Sequence, residues 1–329
     1  MIYFKLKSFP QVSETFIVNN LVYAKQKGFD IKIYIDRYLG LENSSQVSLL
    51  KGNKIEKDIV KPFQFSANKY LKSLQLIKVL TSYKILKFYK YYFLKRGIKW
   101  TRLSFFYQYR FLSKNELIHA HFNSQIEPLI FLHSIKYLNQ KIIVTFHGHD
   151  AFRGDKKTFK DKYGEFYKKH VVAVTVNSNY LKDQVIKLGI EASKIYVIPI
   201  GLDTSNFKGE VKSLPSEEPI KLISVGRLVQ LKGHLYSIRS VFHLVKKCFN
   251  IKYLIVGDGN YIKTLKDEVR KLKLERNIIF IGKASQKRVI ELLKESHISI
   301  MSSTYDDNNG RREAFGLVSV EAQAMGLPV

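Results

Sequence analysis

Residues 220–259 read IKLISVGRLVQLKGHLYSIRSVFHLVKKCFNIKYLIVGDG. A short β-branched run, IKLISV, ends at Gly226. A helix-period stretch, HLYSIRSVFHLVKK, follows, and then a second short run, IKYLIV, ends at Gly257. Strand periodicity, helix periodicity and strand periodicity in succession predict a crossover unit. Repeated, such units build a parallel sheet with helices on both faces.

The same alternation extends in both directions. Downstream lie YIKTLKDEVRKLKL, NIIFIG, QKRVIELLKES and HISIMSS, and the first of these places Ile262, Leu265, Val269 and Leu272 on one helical face. Upstream lie IYFKL, SETFIVNNLVYAKQKG, IKIYI, LIHAHF, a helical stretch over about 125–138, KIIVTFHG, VVAVTV, YLKDQVIKLG and KIYVIPIG. The alternation pauses once, over 204–219, where large apolar residues are few and two prolines stand. The reading is an α/β protein with an N-terminal domain over 1–205, a linker over 206–219 and a C-terminal domain over 220–329. Open sheets of this kind bind ligands at the carboxyl ends of their strands.

Composition narrows the class. The chain has 329 residues, 45% of them hydrophobic and 25% charged, as in ordinary globular proteins. No run approaches the roughly 18–20 apolar residues of a membrane span. MIYFKLKSFP does not read as a secretory signal. The single cysteine, Cys248, excludes an intramolecular disulfide framework and is expected to fill a core. These features fit a cytoplasmic protein. The formal net charge of +27 is unusual and uneven: residues 59–115 contain no Asp or Glu, while Lys and Arg alternate with Tyr, Phe and Trp100. The segment reads as a basic, aromatic helical insertion. A peripheral contact with anionic lipid is favoured, with lysine-biased composition next and nucleic-acid binding last.

Several residues could carry chemistry. Gly226 offers a turn after a strand, and Arg227 and Lys232 follow five apart. Two cations there suit a diphosphate, or are two solvated cations in a lysine-rich chain. Gly257 and Gly259 form a G-x-G without a third glycine, a phosphate signal, a close approach or only a turn. His119 and His121, and His147 and His149 with Asp150, invite a metal reading, but no further histidine completes a ligand set. His147, on a glycine-containing loop, is a hydrogen-bond donor toward a cleft or a buried structural histidine. In EAFGLVSVEAQAMGLPV, residues 313–329, a helix is expected to start near Phe315–Gly316. Glu313 then precedes it, the free amides around Gly316 and Leu317 form an anion cradle, and Glu321 sits on the helix. The alternative is acidic residues stabilised by the helix dipole.

Taken in order, FPQVSETFI, IHAHF, VTFHGHD, VNSNYLKDQVIKLGI, KIYVIPIGLDTSNF, SVGRLVQLKG, VGDG and EAFGLVSVEAQAMGLPV resemble the retaining glycosyltransferases of family 4. The SETFI opening is similar to enzymes that build bacterial surface polysaccharides. The resemblance covers almost the whole chain and implies a GT-B fold, two Rossmann-like doubly wound parallel-sheet domains. It implies that Arg227 and Lys232 hold the diphosphate of a nucleotide-sugar donor. Glu313 and Glu321 match the family's E-x7-E pair, on the donor sugar and on the ribose. Gly316 and Leu317 match backbone contacts to donor, Gly226 lies in the same donor loop, and His147 matches a histidine near the transferred sugar. Relatives carry a glycine pair in the first loop; here that loop spans residues 10–15, where Ser13 can cap the next helix.

The implied reaction is retaining transfer to a lipid-linked or oligosaccharide acceptor, with the departing phosphate assisting deprotonation of the acceptor. No metal or other cofactor is expected, and nucleic acid is not the implied partner. A sugar-nucleotide epimerase on the same fold and a catalytically impaired binding fragment are the alternatives. The last helix is followed by Gly326 and Leu327-Pro328-Val329, which reads as entry to a further strand, so the second domain is expected to be incomplete.

Overall fold

The β-branched runs pair as parallel strands and the helix-period runs cross between them, giving two sheets in this computed structural model. The structure describes residues 1–11, 14–82, 85, 103–110, 112, 116–152, 156–202, 204, 207–305, 312, 313 and 315–329. The first sheet comprises β1 Ile2–Phe9, β2 Ile31–Tyr38, β3 Ile59–Val60, β4 Leu117–His121, β5 Lys141–Thr145, β6 Val171–Val176 and β7 Ile195–Val197. Their spatial order is β3-β2-β1-β4-β5-β6-β7. The second comprises β8 Ile220–Val225, β9 Ile251–Val256, β10 Ile278–Gly282 and β11 Ile298–Ser299, in the order β10-β9-β8-β11. In each sheet the winding reverses beside its first strand, as expected for doubly wound Rossmann-like sheets.

The chain divides into two compact units. One is Met1–Phe146 with Asp155–Thr175 and Ile186–Tyr196; the other is His147–Gly154 with Val176–Val185 and Val197–Val329.

In the first unit, residues alternate between the faces of β1. Phe4 and Leu6 join Ile31, Ile33 and Ile35 of β2 under Ile17, Val18, Leu21 and Val22 of the helix Thr15–Gln26. The opposite face carries Tyr3 and Lys5 beside Tyr34 and Tyr109, whose rings stack at 5.8 Å. Lys5 is a lysine in the core: its side chain is 2% exposed and its Nζ lies 2.5 Å from Asp36 Oδ1, on a side chain 49% exposed. Burial pulls its ammonium below the usual lysine range, and Asp36 partly offsets that.

The second unit follows the same period-two rule on both faces. Leu222 of β8 and Ile251, Tyr253 and Ile255 of β9 pack with Ile238 and Val241 of the helix His234–Lys246 and Leu265 and Val269 of the helix Ile262–Lys271. Ile223, Leu254 and Val256 face the other way, onto Leu292 and Leu293 of the helix Gln286–Glu295 and Ala322 of the helix Leu317–Ala324. A strand buried on both faces reads as a continuous apolar run, which is why IKLISV and IKYLIV lack polar alternation.

Some local features depart from the sequence reading. β7 and β11 are shorter than the apolar runs around them. Cys248 is exposed rather than a core filler: the helix ends at Lys246, and Cys248 adopts φ +63° in the turn that follows. Gly326, with φ +77°, follows the capping residue Met325, the place where a left-handed residue ends a helix. Within 206–219, Phe207 is buried with Ile223, Val256 and Met325, and Lys212 Nζ donates to the Ser296 carbonyl at 3.0 Å. Of the basic insertion, the helices Lys69–Leu80 and Leu103–Gln108 are described, while 83, 84, 86–102, 111 and 113–115 lie outside the described residues.

Candidate active site

At the reversal point of the second sheet, two loops leave the carboxyl ends of the neighbouring strands β8 and β11. The first, 226–233, carries Arg227 and Lys232; the second begins with Met301, Ser302 and Ser303. Backbone and hydroxyl bonds lock them together. Thr304 N–H donates to the Leu231 carbonyl at 2.8 Å, and Ser302 Oγ donates to the Gly233 carbonyl at 2.9 Å. Ser237 Oγ lies 2.7 Å from Ser302 Oγ.

This clamp brings together two residues that stand 81 positions apart in the chain. Lys232 Nζ donates to Glu313 Oε2 at 2.5 Å, and Ser303 Oγ lies 3.4 Å from the same oxygen. Both side chains are part-buried. Arg227 is exposed and, among the described residues, pairs with no carboxylate. The site therefore has one cation held by a carboxylate and one facing solvent. Directly after the loop, His234 is buried, and burial lowers its imidazole to about 4, so it adds no charge at neutral pH.

Of the readings open for the G-x-G, close backbone approach is the one found, and Gly226 is not required by its conformation. Gly226 does not adopt a left-handed φ, and a Cβ there would meet only the Lys232 stem, at 3.6 Å. Gly257 has φ +137°, and a Cβ on it would lie 1.8 Å from the Gly226 carbonyl oxygen. A Cβ on Gly259 would lie 2.3 Å from the Leu228 carbonyl oxygen. The G-x-G pair thus serves close backbone approach between the loops after β8 and β9.

The helix Leu317–Ala324 starts where the sequence places it. Gly316 is its N-cap at φ +73°, with no side-chain cap, and a Cβ there would press on the Met301 sulfur at 2.5 Å. The helix His234–Lys246 likewise starts at a left-handed glycine, Gly233, without a side-chain cap. By contrast, Ser285 Oγ accepts from Arg288 N–H at the start of the helix Gln286–Glu295. The first-turn amides at Leu317 are left to solvent or to a bound anion.

Glu321 is the fifth residue of that helix and is part-buried. Among the described residues its carboxylate has no hydrogen bond or ion pair. Burial without compensation raises it from 4.5 to about 7. Such a carboxyl group is prepared to accept hydroxyl donors. Glu313 and Glu321 are therefore not a matched acid–base pair: one is held by lysine, the other is desolvated on the helix.

In the loop after β5, Asp150 is buried and its Oδ1 accepts from the amides of His147 at 3.0 Å and Gly148 at 3.1 Å. Asp150 thus shapes the loop that carries His147. His119 and His121 stack at 4.5 Å on β4. His119 Nε2 lies 2.6 Å from Thr145 Oγ1, itself 2.6 Å from Thr175 Oγ1, a polar rung across β4, β5 and β6. Burial lowers the His119 imidazole to about 4. Among the described residues, no group of three or more His, Cys, Asp or Glu side chains is arranged to hold a metal ion. Ser13 lies outside the described residues. Sequence reasoning overlooked Ser302, Ser303 and Ser237; for the first two the signal was MSST, small polar residues directly after a short strand, while Ser237 lies inside a helix-period run that carried none.

The comparisons with known proteins agree with this architecture. Residues 14–206 match the profile of Glycosyltransferase Family 4, and residues 207–329 match that of Glycosyl transferases group 1. The amylovoran biosynthesis glycosyltransferase AmsK of Erwinia amylovora is 26% identical over 199 residues, covering 60% of this chain and 48% of that protein. An uncharacterized 41.2 kDa protein in the cps region of Klebsiella pneumoniae is 28% identical over 233 residues, covering 66% of this chain and 60% of that protein. The chain spans about half the length of the first of these curated relatives. Among solved structures, Anabaena Alr3699/HepE in complex with UDP and glucose matches with a TM-score of 0.66 at 18% identity, covering 100% of this chain and 79% of that one. The fold is GT-B, and with more than half its length matched, this chain belongs to Glycosyltransferase Family 4.

Proposed function

We propose that the chain transfers a sugar, with retention of configuration, from a nucleoside-diphosphate sugar to a lipid-linked or oligosaccharide acceptor in exopolysaccharide, capsule or lipopolysaccharide synthesis. The observation that carries the reading is the Lys232–Glu313 pair beside an uncapped, glycine-led helix start at the reversal of a doubly wound sheet. The similarity to AmsK, a protein of amylovoran biosynthesis, supports the pathway class.

The chemistry follows from charge. As the bond between the anomeric carbon and the donor phosphate breaks, the leaving diphosphate takes the electron pair. Arg227, Lys232 and the amides at Gly316 and Leu317 stabilise that developing charge. Lys232 is held by Glu313 in the free protein, so donor binding redistributes that pair: the ammonium turns to phosphate and the Glu313 carboxylate becomes free for sugar hydroxyls. Glu321 accepts from the ribose hydroxyls, and His147 contacts the transferred sugar. The leaving phosphate receives the acceptor's proton, and no metal or other cofactor takes part. The protein acts at the cytoplasmic face of the plasma membrane, where a lipid-linked acceptor presents its saccharide.

The test has two parts. Calorimetry with UDP, GDP and ADP identifies the donor nucleotide, and turnover of the matching sugar nucleotides is followed with and without lipid-linked acceptor. Lys232→Ala and Glu313→Ala are each expected to lower transfer by about 100-fold or more with the fold intact. Wild-type rates in either variant would refute the assigned roles. Epimerisation without acceptor would replace transfer by the epimerase reading, and binding without turnover would leave a binding module.

A further inference from the structure

The helix Lys69–Leu80 has two apolar faces, and only one of them is packed. Val79 is buried, with Leu76 and Leu80 partly covered on the same side. On the other side Tyr70, Leu74 and Ile77 follow one another at helical spacing, with Leu71 alongside. They are 72%, 47%, 58% and 48% exposed respectively. Four large apolar side chains on one exposed helical face form a contiguous patch rather than scattered surface residues. Lys78 of the same helix is exposed on this side between Leu74 and Leu71, and Lys69 is exposed beyond Ile77, while exposed Lys72 lies on the opposite side. No carboxylate stands anywhere in 59–115 to neutralise them.

The helix is also held firmly enough to present that face. Asn68 caps it, its Oδ1 accepting from the Tyr70 amide at 2.9 Å and the Leu71 amide at 3.2 Å. The Gln75 side chain reaches back to accept from the Ser66 amide at 2.7 Å. The stripe is therefore a built surface on a fixed element of the first unit.

We propose that the helix Lys69–Leu80 is the element by which this chain docks on an anionic lipid surface. Tyr70, Leu71, Leu74 and Ile77 enter the boundary between headgroups and acyl chains, and Lys69 and Lys78 meet the lipid phosphates. Charge complementarity selects this occupant. An apolar stripe flanked by cations and lacking acids fits an anionic bilayer plane, whereas a second copy of this face would oppose lysines to lysines. At about 18 Å, the length of twelve helical residues, the stripe can lie in the interface but cannot span it. Docking here would hold the first unit at the surface on which a lipid-linked acceptor is presented. The inference deepens the membrane placement proposed above and is independent of the donor chemistry.

The full chain is mixed with vesicles of phosphatidylcholine alone and with vesicles containing about one third phosphatidylglycerol, and bound protein is separated by flotation. Wild-type protein is expected to float with the anionic vesicles and much less with the neutral ones. The double variant Leu74→Glu/Ile77→Glu is expected to lose roughly tenfold or more of that partitioning, and Leu74→Phe/Ile77→Leu to keep it. Lys69→Gln/Lys78→Gln is expected to lose several-fold per lysine on anionic vesicles only. Thermal melting checks that the variants fold, and if the glutamates unfold the chain, the lysine variant decides alone. Equal flotation of wild type and folded variants overturns the proposal. So does light scattering in which the stripe variants dissolve a dimer without changing vesicle binding. Calorimetry with UDP, GDP and ADP on the same samples separates the two ideas: a chain that floats through this helix but binds no nucleotide refutes the transferase reading and sustains the docking helix.

Discussion

Glu321 illustrates how one side chain couples burial to chemistry. Burial on the helix Leu317–Ala324, with no partner among the described residues, raises its carboxyl group to about 7 in the folded chain. In the unfolded chain it titrates near its ordinary 4.5. Between these values the folded state binds the extra proton. The contribution of Glu321 to stability is thus complete below 4.5 and is lost as pH rises through about 7. Glu321→Gln is expected to remove that part of the slope in denaturation curves recorded from pH 4 to 8. Ribose hydroxyls would favour the ionised form, so nucleotide affinity is expected to rise between pH 6 and 8 more steeply in wild type than in Glu321→Gln, as read by calorimetry. Parallel profiles in the two proteins would refute the ribose role.

At the scale of elements, the loops after β8, β9 and β11 form one assembly whose glycines differ in purpose. Gly257 is required by its φ and by the Gly226 carbonyl against it, whereas Gly226 itself has room for a methyl group beside the Lys232 stem. Gly257→Ala is therefore expected to cost about 2–4 kcal/mol in denaturant unfolding, and Gly226→Ala less than about 1 kcal/mol. The reverse ranking would mean that the close approach of these loops is not what holds the site. Close approach was one reading of VGDG in the sequence, but its partner was not visible there, because the backbone that presses on Gly257 is that of Gly226, in the loop after β8.

At the scale of the molecule, the 206–219 stretch joins the core of the second unit. Phe207 is buried between the outer face of β8 and β9 and the end of the helix Leu317–Ala324. Phe207→Ala is expected to destabilise that unit by about 3–5 kcal/mol in chemical denaturation, the range for an emptied aromatic site. A loss below about 1 kcal/mol would show that the stretch behaves as a free connection. Its few apolar residues and two prolines made it read as a linker, since composition reports how much surface a segment can bury and not where it lands.

The sequence by itself determined the alternation of strands and helices, the doubly wound class, the start of the last helix at Gly316 and the candidate cations and carboxylates. These are local matters: a period of 2 or 3.6, a turn glycine, a residue type after a strand. Only the tertiary structure decided which of them meet. It paired Lys232 with Glu313, left the part-buried Glu321 without a counter-ion among the described residues, and gave Ser302 the task of joining two loops. It also placed Lys5, which follows the same alternation as exposed Lys7, inside the first unit beside Tyr34 and Tyr109. A strand's period says that two lysines share a face, but whether that face is wet depends on what packs over each of them, and that is set by residues far away in the chain.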